Sequence, residues 1–128
     1  MKQNDAYLLI DQPTAIPVPG GKQIHEYLGR VNTDTDRVSV ARMEAPAGWS
    51  EPAQTPAFDE ITIMLDGQLQ VTINGKSLEI SAGQVLSVNR GTRVQYENPH
   101  GKMAIYWAIC IPAFSLELAG RDLLESSG

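Results

Sequence analysis

From Phe58 onward the chain is interrupted by turn formers so regularly that only short strands fit between them. Asp66-Gly67, Asn74-Gly75, Gly83, Arg90-Gly91 and Asn98-Pro99-His100-Gly101 follow one another about every 8–12 residues. The segments they bound are DEITIMLDG, QLQVTINGK, KSLEI, QVLSVNR, TRVQYEN and KMAIYWAICIP, which alternate apolar and polar residues and are rich in β-branched side chains. Asp66-Gly67 is expected to join the first two as a hairpin. Asn74-Gly75 joins the next two, because that dipeptide accepts the positive φ angles of a tight hairpin turn. Short strands at this spacing predict an all-β sandwich or barrel.

Upstream, AYLLI reads as a strand, and the Pro- and Gly-rich passage from Pro13 to Gly21 as irregular. QIHEYLGRV is a short strand, NTDTD a loop of turn formers and RVSVARMEA a further strand. Pro46, Gly48, Pro52 and Pro56 exclude regular structure until Phe58. Only AFSLELAGRDLLE looks helical, with Ser115 as its N-cap. The expected organisation is one domain: residues 1–35 as strands and loops packing on a barrel, 36–114 as the barrel, and 115–128 as a C-terminal helix and tail.

Charge and composition remove several classes of function. Ten basic against fifteen acidic residues give a formal charge of −5 with no Lys/Arg cluster, which argues against binding nucleic acid. Cys110 is the single cysteine, so no intrachain disulfide forms. No window approaches the roughly 18 apolar residues of a membrane span, and the first residues lack the apolar run of a signal peptide. A cytoplasmic protein with no membrane association is the expectation.

With the turns placed, residues 36–114 resemble a small single-domain cupin, a double-stranded β-helix or jelly-roll barrel. The resemblance rests on two spaced motifs. In G-x5-H-x-H-x3-E-x6-G, Gly48, Glu60 and Gly67 fall in place while Gln54 and Pro56 stand at the histidine positions. In G-x5-P-x-G-x2-H-x3-N, Gly83, Gly91 and Asn98 match, Asn89 replaces the proline and Val94 the histidine. Cupins usually hold a divalent metal with three imidazoles and one carboxylate, and all three imidazole positions are lost here. The resemblance therefore implies no metal and no other cofactor; an oxygen-only site would draw weakly on Glu60, Gln54 and Glu51. Within the family the chain resembles the ethanolamine-utilisation (EutQ-like) type, through Asp59-Glu60-Ile61, Leu65, Gly67 and Pro112-Ala113-Phe114. That type is linked to ethanolamine catabolism and an acetate-kinase-like activity. No phosphate-binding loop is recognisable here, and that activity is not carried over.

Strand parity orders the candidate site residues, because alternate side chains face opposite sides of a sheet. If Glu60 points inward, so do Thr62 and Met64, leaving Ile61, Ile63 and Leu65 outside. Such an apolar row needs cover from the N-terminal strand or a second subunit, and a homodimer is expected. Glu60, at the mouth of an apolar barrel, would have its pKa raised and suit acid–base chemistry, or else be neutralised by an arginine or backbone amides. Tyr96 and Tyr106 are the other candidate catalytic groups, each offering a hydroxyl. Gln54, Trp49, Arg42 and Cys110 are the candidate ligand-binding residues. Trp49 serves as a lid or as a plug, Arg42 faces inward if Val38 and Val40 do, and Cys110 is a small buried group beside the cavity. His25 and His100 read as packing or surface histidines.

These residues fit a small metabolite held in the barrel, with a metal-independent lyase, isomerase or cyclase using Glu60 as acid or base. The alternative is a non-catalytic sensor, binding or accessory protein of a catabolic pathway. Fold alone does not decide between them.

Overall fold

The computed structural model describes residues 2–3 and 6–121. Its strands are β1 (Lys2–Gln3), β2 (Leu8–Leu9), β3 (Thr14–Ile16), β4 (Gln23–Leu28), β5 (Ser39–Ala45), β6 (Asp59–Asp66), β7 (Gln68–Ile73), β8 (Lys76–Ser81), β9 (Val85–Val88), β10 (Val94–Glu97) and β11 (Ala104–Ile111). One short helix, α1 (Leu116–Ala119), follows. A six-stranded sheet of order β3-β4-β5-β11-β6-β9 faces a three-stranded sheet of order β10-β7-β8, and β1 pairs with β2 apart from both. All pairings are antiparallel. The spacing of the turns predicts an all-β sandwich or barrel, and the two antiparallel sheets agree with the jelly roll that the resemblance implies.

The core lies between the two sheets. Met64, Val88, Ala104 and Tyr106 from the larger sheet meet Leu69, Val71, Ile80, Val94 and Tyr96 from the smaller, with Trp49 closing one end. Thr62 and Met64 point inward and are buried, while Leu65 is exposed, as strand parity predicts. Asn98 is fully buried and ties the loops together: its Nδ2 lies 2.8–3.2 Å from the carbonyls of Ala45, Pro46 and Lys102.

Three local expectations change. Asp66-Gly67 does not close a hairpin. β6 pairs with β11 and β9, whereas β7 pairs with β8 and β10, so the dipeptide is a corner carrying the chain between sheets. Gly67 is required there: its φ is +76°, and a Cβ would stand 2.5 Å from the Met103 carbonyl oxygen. Asn74-Gly75, by contrast, does join β7 to β8. The passage from Pro13 to Gly21 contains β3, because Thr14–Ile16 finds an edge position beside β4 that no local signal announces. The helix is one turn long among the described residues. Ser115 caps it, its Oγ accepting from the Leu118 amide at 3.1 Å, and Gly120 ends it in the left-handed conformation. The part of the expected helix after Arg121 lies outside the described residues.

Candidate functional site

A cavity of about 130 Å³ opens at the end of the barrel. Its walls include the stretch before β4 with Val18 and Lys22; the Pro-rich loop with Trp49, Glu51 and Gln54; the inner faces of β4, β5, β6 and β11 with Glu26, Ala41, Glu60 and Cys110; and the C-terminal end with Phe114 and Arg121. The loop is fixed by the strand next to it. Gln54 and Val94 exchange backbone hydrogen bonds at 2.9 and 2.8 Å, so two of the three vacated histidine positions face each other across an isolated bridge.

Glu60 enters from β6, opposite Cys110 of β11. Its Oε1 is shut off from solvent and makes no close hydrogen bond among the described residues, nor do the neighbouring Thr62 Oγ1 and Tyr96 hydroxyl, although that hydroxyl lies near enough to favour the ionised carboxylate. Burial, reinforced by the nearby negative charge of Glu51, pushes the Glu60 carboxyl up to about 7; Lys22, Tyr96 and Arg121 pull it partly back. The glutamate therefore exchanges its proton near neutrality. Burial, with Glu60 adding to it, raises the Tyr96 phenol well above its ordinary value, so it stays protonated.

Two cations flank this acid. The Lys22 side chain retains only 9% of its exposure and lies 4.4 Å from the Trp49 ring centroid and 5.7 Å from that of Tyr106. Burial pushes its ammonium down, but Tyr106, Glu51 and Glu60 more than offset this and hold its pKa above the usual lysine value. Arg121 arrives from the other end of the chain. Gly120 turns the backbone so that residue 121 bridges to Gln54, while Thr55 donates to the Gly120 carbonyl at 2.9 Å. Lys22 Nζ and Arg121 Nη2 each lie 3.7 Å from the same Glu51 oxygen, Oε1. Arg121 Nη2 also donates to Gln54 Oε1 at 3.3 Å, and its buried Nε has no partner among the described residues.

Of the residues picked from sequence, the structure brings Trp49, Glu51, Gln54, Glu60 and Cys110 to the cavity wall. Tyr96 and Tyr106 face inward and stand one layer behind it, against Glu60 and Lys22. Cys110 is buried, and desolvation, then the Glu60 charge, pushes its thiol up, so it stays an unreactive SH group. Arg42 is corrected. On β5 it is Ser39 and Ala41 that face inward, which turns Val40 and Arg42 to the outer face. There Arg42 lies between His25 and Trp107 in the sheet register and pairs with Glu44 at 2.6 Å. Lys22 and Arg121 are the residues the sequence reading missed. Neither has a local signal: one follows a glycine pair and the other sits where a continued helix would have put it.

The donors present do not fit the three-imidazole, one-carboxylate metal centre of the fold. Gln54, Pro56 and Val94 hold the imidazole positions, and the ammonium and guanidinium beside Glu60 oppose a bound cation. Among the described residues no three His, Cys, Asp or Glu side chains converge.

The Cupin_2 family, described as "Cupin domain", matches residues 41–112. The chain belongs to the cupin family. It is 52% identical over 107 residues to a Myxococcus xanthus protein named Endoribonuclease YbeY, covering 84% of this chain and 36% of that protein. It is 31% identical over 49 residues to Acetate kinase EutQ of Clostridioides difficile, covering 38% and 31% respectively. The chain thus spans about a third of the length of these curated relatives. Among solved structures, a predicted oxalate decarboxylase from Thermotoga maritima superposes with a TM-score of 0.66 at 23% identity, covering 82% of this chain and 99% of that one. The Clostridium difficile EutQ protein gives 0.61 at 20% identity, covering 81% and 74%. These likenesses establish the fold, and the EutQ matches support the resemblance to the ethanolamine-utilisation type. No helix among the described residues is long and apolar enough to cross a membrane.

Proposed function

We propose that the barrel cavity binds a small metabolite and that Glu60 transfers a proton to or from it without a metal, as in a lyase, isomerase or cyclase. The observation that carries this reading is the Glu60 carboxyl: it lies at the cavity wall, has an oxygen without a close hydrogen bond, and is pushed up to about 7 by burial and Glu51. An acid or base works best when its pKa lies near the working pH, which favours this role over a purely structural one. Trp49 and Phe114 supply apolar walls, and Gln54 an amide to orient a polar group. The ribonuclease name of the Myxococcus relative belongs to a protein of which this chain matches 36%, and a cavity this small with a chain charge of −5 favours a small molecule over RNA.

The test is a Glu60→Gln variant screened with the wild type against a library of small metabolites by NMR, followed by turnover assays on every binder. Retained binding with abolished turnover is the expected result. Turnover that survives in the variant overturns the proton-transfer role. Binders that neither protein converts overturn catalysis and leave the non-catalytic reading.

The outer face of the larger sheet supports a homodimer. Ile61, Ile63 and Leu65 of β6 run beside Ile105, Trp107 and Ile109 of β11, with Leu65 46% exposed and the others half-buried. Light scattering is expected to give twice the monomer mass, and Ile63→Glu to halve it; a monomeric wild type refutes the dimer.

A further inference from the structure

The polar and charged groups of the cavity differ in origin. Glu51, Gln54 and Glu60 lie inside the family match at residues 41–112, whereas Lys22 and Arg121 lie outside it, one on each side. The described side chains do not use up the donors of the two cations: Lys22 is hydrogen-bonded to Tyr106, which takes only one of the three donors of its ammonium. Glu51 Oε1 sits at 3.7 Å from each, an ion-pair separation too long for a hydrogen bond, and Arg121 Nε is buried without a partner among the described residues. Leaving such donors dry is costly, so the geometry calls for an acceptor that the described side chains do not supply.

We propose that Lys22 and Arg121 form an anion subsite that seats the carboxylate of a small organic acid against Glu60. The inference rests on the reading of the cavity as a small-molecule site and adds the class of ligand. A carboxylate fits on charge. Two cations face one ionised carboxylate, Glu51, when Glu60 carries its proton. The remaining acid on the wall, Glu26, is set apart from this group: its Oε2 accepts from the Val31 and Asn32 amides at 2.9 Å, Gly29 lies against it, and it is not among the charges that act on Lys22 or Glu60. One monoanion balances the excess. A dianion such as phosphate would overcharge a half-enclosed site. The Trp49 face under Lys22 and the Phe114 ring give the apolar remainder of the acid a wall. Protonated Glu60 then donates to the ligand, which satisfies the buried acid as well as the cations.

The experiment titrates the full chain with propionate, butyrate, the uncharged propionamide and butyramide, and inorganic phosphate, read by NMR. The Trp49 indole is the reporter and the Trp107 indole, on the outer wall, the control. Saturable shifts of Trp49 with the two carboxylates, at least about tenfold tighter than with the amides, are expected. Lys22→Met should weaken the carboxylates by about tenfold or more and leave the amides unchanged, while Lys22→Arg restores most of the affinity. If Lys22→Met does not fold, Arg121→Gln carries the same test from a side chain 29% exposed. Equal binding of amides and carboxylates overturns the anion subsite and leaves the small-molecule reading standing. Tighter phosphate than carboxylate overturns the assignment of ligand class. No saturable shift of Trp49 with any probe overturns both readings.

Discussion

Replacing Glu60 by glutamine should make the protein more stable, and by an amount that depends on pH. In the unfolded chain the carboxyl ionises near 4.5; in the fold it keeps its proton until about 7. Between those values the folded state binds more protons than the unfolded state, so stability falls as pH rises. Below the lower value the side chain is neutral in both states and contributes no such penalty. Above the upper value the full penalty applies. The interval from 4.5 to about 7, at about 1.4 kcal/mol for each pH unit, amounts to about 3.5 kcal/mol. Glutamine keeps the shape and cannot ionise. Urea denaturation of both proteins from pH 5 to pH 8 should therefore show an advantage of the variant that grows by about 2.5 kcal/mol across the range, the first part of the penalty being already present at pH 5. Any fixed cost of the amide cancels, because the quantity read is the change of the difference with pH. A difference that stays flat refutes the reasoning, since the carboxyl would then titrate alike in both states.

Three further outcomes are expected. Asn98→Ala leaves the carbonyls of Ala45, Pro46 and Lys102 without their common donor and should lower stability by about 2 kcal/mol in urea denaturation, with no effect refuting its bracing role. Gly67→Ala forces a Cβ to within 2.5 Å of the Met103 oxygen at a φ of +76° and should cost about 2 kcal/mol or more; a silent substitution would mean the corner is loose. Cys110, buried and with its thiol pKa raised by burial and by Glu60, should react with a thiol reagent at pH 8 only as fast as the protein unfolds, and rapid labelling of the folded protein refutes that burial.

The strands were legible because their signals are local. Asn74-Gly75 needs positive φ at both residues, and alternation along β6 and β11 sets which side chains are buried. Asp66-Gly67 misled for the same reason. A tight Gly turn looks alike whether the flanking strands pair or part, and only the packing of Gly67 on Met103, far along the chain, shows that they part. Arg42 was misplaced because SVARMEA offers two mixed faces. The inner face is the small one, Ser39 and Ala41, since the cavity needs the room, while the larger Val40 lies beside Ile109 outside. Thr14–Ile16 carries no strand pattern of its own and becomes β3 by adding to the edge of β4.

In the site, the residues within the motifs were found and the two cations were not, and the difference is one of origin. The spacing of the first motif picks out Gln54 and Glu60, whereas Lys22 and Arg121 reach the cavity only through the path of the chain before β4 and after α1. The two sets are nonetheless coupled. Lys22 and Arg121 both stabilise the ionised form of Glu60. Removing the lysine should therefore move the Glu60 carboxyl above about 7, and in the Lys22→Met background the advantage of the glutamine variant should still set in near 4.5 but go on growing to a higher pH and end larger. An unchanged profile would mean that the ammonium and the carboxyl do not sense each other. The chain outside residues 41–112 would then have no hold on the proton that the barrel keeps.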